Sequence, residues 1–314
     1  MAERKLKHFY IAEEQSIYLM SHKDATKLKE WVDLCKQQLS LLGYVDISLI
    51  GKGAYGFVFG ARDENGQHLV FKFSRINLPQ HVQDRLAEEA EIQGELSHPR
   101  IPKVFEYYKI KRQSIVHMQR APGVDLEQYS FQNGPLPPET IVKIAIQLAE
   151  LLLYLRNPAN HTKAKPYVHG DIKPSNIMFN EITGRIYLID WGSAVNAQLD
   201  IHGHTTANNI MDLMSSDLQN SNARLGDVYF IGPEQLNGEM SSPRFDEQGM
   251  AATLYALASG QSCRYGKNII PPSALGLPKL LANILEGMLS NDKILRDQAG
   301  DYFFKYLPLL KNTV

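Results

Sequence analysis

Cysteine is nearly missing from this chain of 314 residues: Cys35 and Cys263 are the two present, far apart and in no metal-ligand spacing. That argues against a disulfide scaffold or a zinc site, and a reducing compartment is expected. Excess charge of either sign is missing too. Lys and Arg number 33 against 34 Asp and Glu, a formal net charge of -1, with no long basic run. A nucleic acid or anionic surface held mainly by charge is therefore not the expected partner. No apolar run reaches the roughly 18 residues of a membrane helix, so no membrane insertion is expected. The opening MAERKLKHFY is charged where a signal peptide needs an apolar core, and the expected location is cytoplasmic. What remains, 44% hydrophobic and 21% charged, describes a globular chain long enough for two lobes.

Ser21 and Asp24 have capping-box spacing, and Ala25, Leu28, Val32, Cys35, Leu39 and Leu42 follow at three- and four-residue intervals. This predicts an amphipathic helix packed on the next lobe, with docking or dimerisation as the alternative use of its stripe. From Tyr44 the period changes to two, and strands are expected around a glycine-rich turn and an Asn65-Gly66 hairpin turn. A helix after Pro79 carries Val82, Leu86 and Glu89 and stops at His98-Pro99, and Pro122-Gly123 marks a boundary. Beyond it, Ile141, Ile144, Ala145, Leu148, Leu151, Leu152 and Leu155 predict a buried helix from near Pro138, with short strands around Tyr167 and Tyr187. Ala197 to Ala223, rich in Asn, Ser, Asp and His, reads as a long loop. In it, His202 and His204 fit solvated histidines better than metal ligands.

Gly51, Gly53 and Gly56 lie between two predicted strands, whereas a dinucleotide fingerprint needs a helix next, so the loop suits a hairpin flap over phosphates. Val70 and Lys72 share a strand face, and the apolar neighbours in HLVFKF imply a buried ammonium that needs an anion. Glu89 is the candidate, with Glu88 and Glu91 open by composition. In HGDIKPSN, Asp171 is placed to accept a proton from an attacking hydroxyl, a role worth about 10² to 10⁴ in rate. Lys173 would neutralise a transferring phosphoryl group. Asn176 and the Asp190 of LIDWG, one amide and one carboxylate, suit hydrated Mg²⁺.

From about Tyr44 onward the chain resembles the protein-kinase superfamily. GKGAYGFV is similar to its glycine-rich loop, VFKF to its third-strand lysine motif, HGDIKPSN to its catalytic loop, IDWG to its metal-binding motif and the GPE at Gly232 to its segment-closing motif. The resemblance selects Glu89 as the partner of Lys72. It implies Met118 as gatekeeper, Gln119 and Ala121 as hinge, Asp125 as ribose contact, and Val58, Val70 and Met178 as walls around adenine. Asp246 is implied as a brace of the catalytic loop and Arg296 as the partner of Glu234. The implied fold is α+β and two-lobed: a helical extension over 1–43, a sheet-rich N-lobe over 44–120 and a helical C-lobe over 121–314, with ATP between the lobes. Lys173, two residues after Asp171, implies Ser or Thr hydroxyls of proteins as acceptors, with ATP and Mg²⁺ as cofactors.

Three departures carry expectations of their own. Gly170 stands where many of these enzymes have the arginine that binds an activation-loop phosphate, so activity independent of that phosphate is expected. HGD with IDWG also resembles aminoglycoside and choline phosphotransferases, the main alternative, although Lys173, the proline-glutamate closure and the regular glycine loop favour protein acceptors. A nucleotide-binding scaffold without turnover is the other alternative, kept by the long 191–233 segment and the N-terminal helix. Asp227 replaces a threonine near the catalytic pair and is expected to pair with Lys173 or to point away.

Overall fold

The computed structural model describes residues 25–52, 56–75, 80–110, 113–206 and 226–311. They divide into two compact units. One runs to Gly94 and adds Pro102–Arg120; the other holds Glu95–Ile101 and the chain from Ala121.

The first unit contains helix α1 (Ala25–Leu41), strands β1 (Val45–Lys52), β2 (Gly56–Arg62) and β3 (His68–Ser74), helix α2 (Gln80–Glu95), and strands β4 (Val104–Ile110) and β5 (Gln113–Gln119). The strands form one antiparallel sheet in the order β1-β2-β3-β5-β4. Alternation sorts their side chains onto two faces. Phe57, Phe59 and Ala61 of β2, Leu69, Phe71 and Phe73 of β3, and Ile115 of β5 form one buried cluster with Trp31, Cys35 and Leu39 of α1. The Trp31 ring lies 4.5 Å from Phe57, and Phe59 meets Phe73 edge-on at 5.4 Å. Each buried Leu, Ile or Phe of the cluster contributes about 1.5–3 kcal/mol by leaving water.

The predicted helix is therefore present, and Cys35 and Leu39 of its stripe are covered by the sheet, the side chains of Ala25 and Leu28 lying outside the described residues. Its angle differs slightly from expectation: Trp31 is buried, whereas Val32 and Leu42 are only partly so. The capping box at Ser21 and Asp24 lies outside the described residues. The Asn65-Gly66 turn belongs to a longer loop, because Arg62 pairs with His68 and the Asp63 carboxylate accepts the N–H groups of Asn65 and Gln67.

The second unit is mainly helical. Its elements are β6 (Val124–Asp125), α3 (Leu126–Asn133), α4 (Pro138–Arg156), β7 (Tyr167–Val168), β8 (Ile177–Asn180), β9 (Arg185–Leu188), β10 (Val195–Asn196), α5 (Pro233–Leu236), α6 (Arg244–Ser259), α7 (Lys279–Met288) and α8 (Lys293–Lys311). Helix α4 starts at the expected proline and buries all seven of the predicted apolar positions. It packs on α6 and α8. β7 pairs with β10, while β8 pairs with both β6 and β9.

The described part of the expected loop after Ala197 is pinned down. Gln198 and Leu199 donate their N–H groups to the Ser241 carbonyl at 2.9 Å. The Asp200 carboxylate accepts the N–H groups of His202 and His204. Residues 207–225 lie outside the described residues. Among those described, no helix is long and apolar enough to cross a membrane.

Candidate active site

Lys72 projects from β3 on the face opposite α1, beside Val70 and between Val58 of β2 and Val116 of β5 in the strand register. Its ammonium forms an ion pair with Glu89 of α2. Of the three neighbouring acids, Glu89 is buried, whereas Glu88 and Glu91 are exposed. A lysine in apolar surroundings needs such a counter-ion, since losing one partner leaves a desolvated charge. Val58, Val70 and Met118 come together in a cluster with Ala90 and Val116. Val116 belongs to this cluster and was not among the expected residues, although its place two residues before Met118 on one strand puts it on the same face.

Gly51 lies opposite Val58 and Gly56 opposite Ser74. A Cβ on Gly56 would come within 2.1 Å of the Phe73 carbonyl oxygen, so only glycine fits there. Gly53 lies outside the described residues. Gln119 is exposed and donates its N–H to the Lys103 carbonyl at 2.8 Å.

In the second unit, the loop after β7 is held from three sides. Asp246 of α6 accepts the N–H groups of His169 at 2.7 Å and Gly170 at 2.9 Å. Gln235 of α5 donates to the Gly170 carbonyl at 2.6 Å, and Thr253 of α6 donates to the Ile172 carbonyl at 3.2 Å. Neither Gln235 nor Thr253 was predicted; Thr253 shows only as a hydroxyl within the mostly apolar run 250–257 of α6. His169 donates Nε2–H to the Ile189 carbonyl at 3.2 Å and accepts the Asp171 N–H at Nδ1, which fixes the tautomer of its ring.

This scaffold presents a satisfied carboxylate. Oδ1 of Asp171 accepts the Asp227 N–H at 2.9 Å, and Oδ2 accepts Asn176 Nδ2 at 2.9 Å. Lys173 Nζ lies 3.0 Å from the same Oδ2 and 3.8 Å from Asp227 Oδ2. Asp227 therefore faces the lysine. A carboxylate held at both oxygens with an ammonium beside it can orient a hydroxyl, take its proton and offset charge that develops nearby.

The β8–β9 hairpin brings the two expected metal ligands to one end. Ile177 pairs with Leu188, and Ile189 donates its N–H to the Asn176 carbonyl at 2.9 Å, so Asp190 follows directly. Asp190 is exposed and takes a positive φ of 65°, unusual for a residue other than glycine. Asn176 turns its Nδ2 onto the Asp171 main-chain oxygen and carboxylate. That orientation leaves its side-chain oxygen as the acceptor a hard cation requires, so the donor set fits Mg²⁺. Met178 pairs with Asp125 across β6 and β8 and with Tyr187 across β9. Asp125 also caps α3 by accepting the Gln128 N–H at 2.8 Å. Ala121 is buried.

Two further acids set the electrostatics beneath the loop. Burial pushes Asp246 up to about 7, against the pull of the His169 and Gly170 N–H groups, and the neighbouring Glu247 adds to the rise. Burial would also raise Glu234, but its own N–H, the ion pair with Arg296 and the Gln248 amide outweigh it, and its carboxyl lies below the usual range.

Residues 44–276 match the family model described as the protein kinase domain. The chain is 29% identical over 219 residues to a probable serine/threonine-protein kinase of Corynebacterium efficiens, covering 68% of this chain and 30% of that protein. It is 26% identical over 222 residues to serine/threonine-protein kinase PrkC of Bacillus subtilis, covering 69% and 30%. It is 25% identical over 217 residues to Aurora/IPL1-related protein kinase 2 of Caenorhabditis briggsae, covering 68% of each. The aligned part thus spans under a third of the bacterial relatives' length.

Proposed function

This chain belongs to the protein kinase family, and from that premise we propose that it transfers the γ-phosphoryl group of Mg-ATP to Ser or Thr hydroxyls of proteins. The observation that carries this reading is the Asp171 carboxylate, held by the Asp227 N–H and by Asn176, with Lys173 3.0 Å away. Asp171 orients the acceptor hydroxyl and takes its proton as the new bond forms. Lys173 offsets charge on the transferring group. Lys72, kept in place by Glu89, binds phosphate oxygens, and the glycines at 51, 53 and 56, between and at the ends of β1 and β2, let the backbone cover them. Val58, Val70, Met118, Gln119, Ala121, Asp125 and Met178 receive the adenosine. Asn176 and Asp190 would hold Mg²⁺, which when bound neutralises phosphate charge. The names of the bacterial relatives support Ser and Thr as acceptors.

The test is label transfer from γ-labelled ATP with Mg²⁺ into a mixed protein extract, comparing the native chain with Asp171→Asn. Label is expected on Ser and Thr of protein, with a loss of about 10²-fold or more in the variant and an unchanged nucleotide-induced thermal shift. Label on an aminoglycoside or choline but not on protein would overturn the reading in favour of a small-molecule phosphotransferase. A thermal shift without any transfer would overturn it in favour of a scaffold.

A further inference from the structure

Among the described residues around Asp171, one cation serves two carboxylates. Asp171 is satisfied at both oxygens and has Lys173 at 3.0 Å. Asp227 is not matched in this way: Oδ1 accepts the Tyr229 N–H at 3.1 Å, and Oδ2 has Lys173 at 3.8 Å, beyond hydrogen-bond reach. The surplus negative charge therefore resides on Asp227. Its side chain is also the most open of the three, 33% exposed against 11% for Asp171 and 20% for Lys173. The next two residues, Val228 and Tyr229, are exposed as well, so neither of them screens the carboxylate from an arriving chain.

We propose that Asp227 is a specificity-determining residue: it favours hydroxyl acceptors flanked by cationic side chains and disfavours those flanked by acids. The proposal rests on the protein-kinase reading above. A charge beside the reacting group selects partners both by attraction to the complementary sign and by repulsion of its own.

The test uses the full chain and two synthetic peptides that are identical except for the residues on either side of a single serine, Arg in one and Glu in the other. The native chain is expected to prefer the Arg peptide by roughly tenfold in kcat/KM. Asp227→Asn keeps the backbone N–H on Asp171 and a side-chain oxygen for the Tyr229 N–H. Its preference should fall to about twofold, through a higher KM for the Arg peptide and not through KM for ATP. Asp227→Glu should restore the preference, and Asp227→Ser, an uncharged residue that also suits the turn, should behave like Asn. A native enzyme indifferent to the flanking charge, or an Asn variant with the native preference, overturns the proposal while leaving the kinase reading intact. No transfer to peptide or extract protein overturns both.

Discussion

Gly170 turns the chain through a φ of 77° with its N–H on Asp246 and its carbonyl on Gln235, and a Cβ there would lie 3.0 Å from the Ser193 carbonyl oxygen. Position 170 is thus fixed by backbone geometry, and it offers no guanidinium for a phosphate. Phosphatase treatment before the assay should leave label transfer within about twofold of the untreated enzyme, since a loop phosphate would gain no charge-assisted bond from this position. Loss of transfer that returns with a defined loop phosphate would refute this. Single residues differed in how well the sequence announced them. Lys72 was legible because a strand period put a cation among apolar neighbours, and such a cation has to find an acid. The shared helix face with Val82 and Leu86 pointed to Glu89, but composition left Glu88 and Glu91 open and resemblance made the choice; in the structure Glu89 is the buried one of the three. The positive φ of Asp190 left no trace at all, since aspartate is common in ordinary turns.

Helix α1 was readable from the spacing of Cys35 and Leu39, but its buried line runs through Trp31, which a count of aliphatic residues passes over. The strands were readable too, yet their alternation does not say what covers each face. In this fold the aromatic face meets α1, and the face with Lys72 meets α2. The energetic consequence is direct. Leu39 is fully buried in the α1 cluster, and Leu39→Ala should lower stability by about 2–5 kcal/mol in urea unfolding. Leu41→Ala, two residues on and 73% exposed, should change it by less than about 0.5 kcal/mol. Equal effects at the two positions would mean that α1 does not share the core of the first unit in solution. The described turn at 198–206 was not foreseen, because its order comes from Gln198 and Asp200 bonding to distant or local backbone and not from any apolar period.

At the scale of the whole chain, stability responds to pH through groups with opposite signs. The Glu234 carboxyl lies below its unfolded value, so its contribution is present above the ordinary glutamate range and is lost as pH falls through the lowered folded value. Asp246 is raised to about 7, so the folded state binds its proton more tightly and stability from this group declines as pH rises from about 4 to about 7. Melting temperature should therefore fall at both ends, and Asp246→Asn should remove the decline toward neutral pH while lowering the maximum, because the two N–H groups use separate carboxyl oxygens and an amide has only one. A variant that keeps the neutral-side decline would assign it to another group. The α1 cluster also bears on the order in which the molecule can be made. Trp31 and Leu39 leave the ribosome before every strand they contact, and Ile115 of β5 comes last among those partners. β2 and β3 can begin to cover the helix as they emerge, but β1 to β3, α2 and β4 all precede β5, and the first unit cannot close its core until β5 has emerged. A stall that keeps Ile115 within the ribosome would hold the nascent chain at an aggregation-prone stage, and a stall far enough downstream for β5 to have emerged would release it from that hazard.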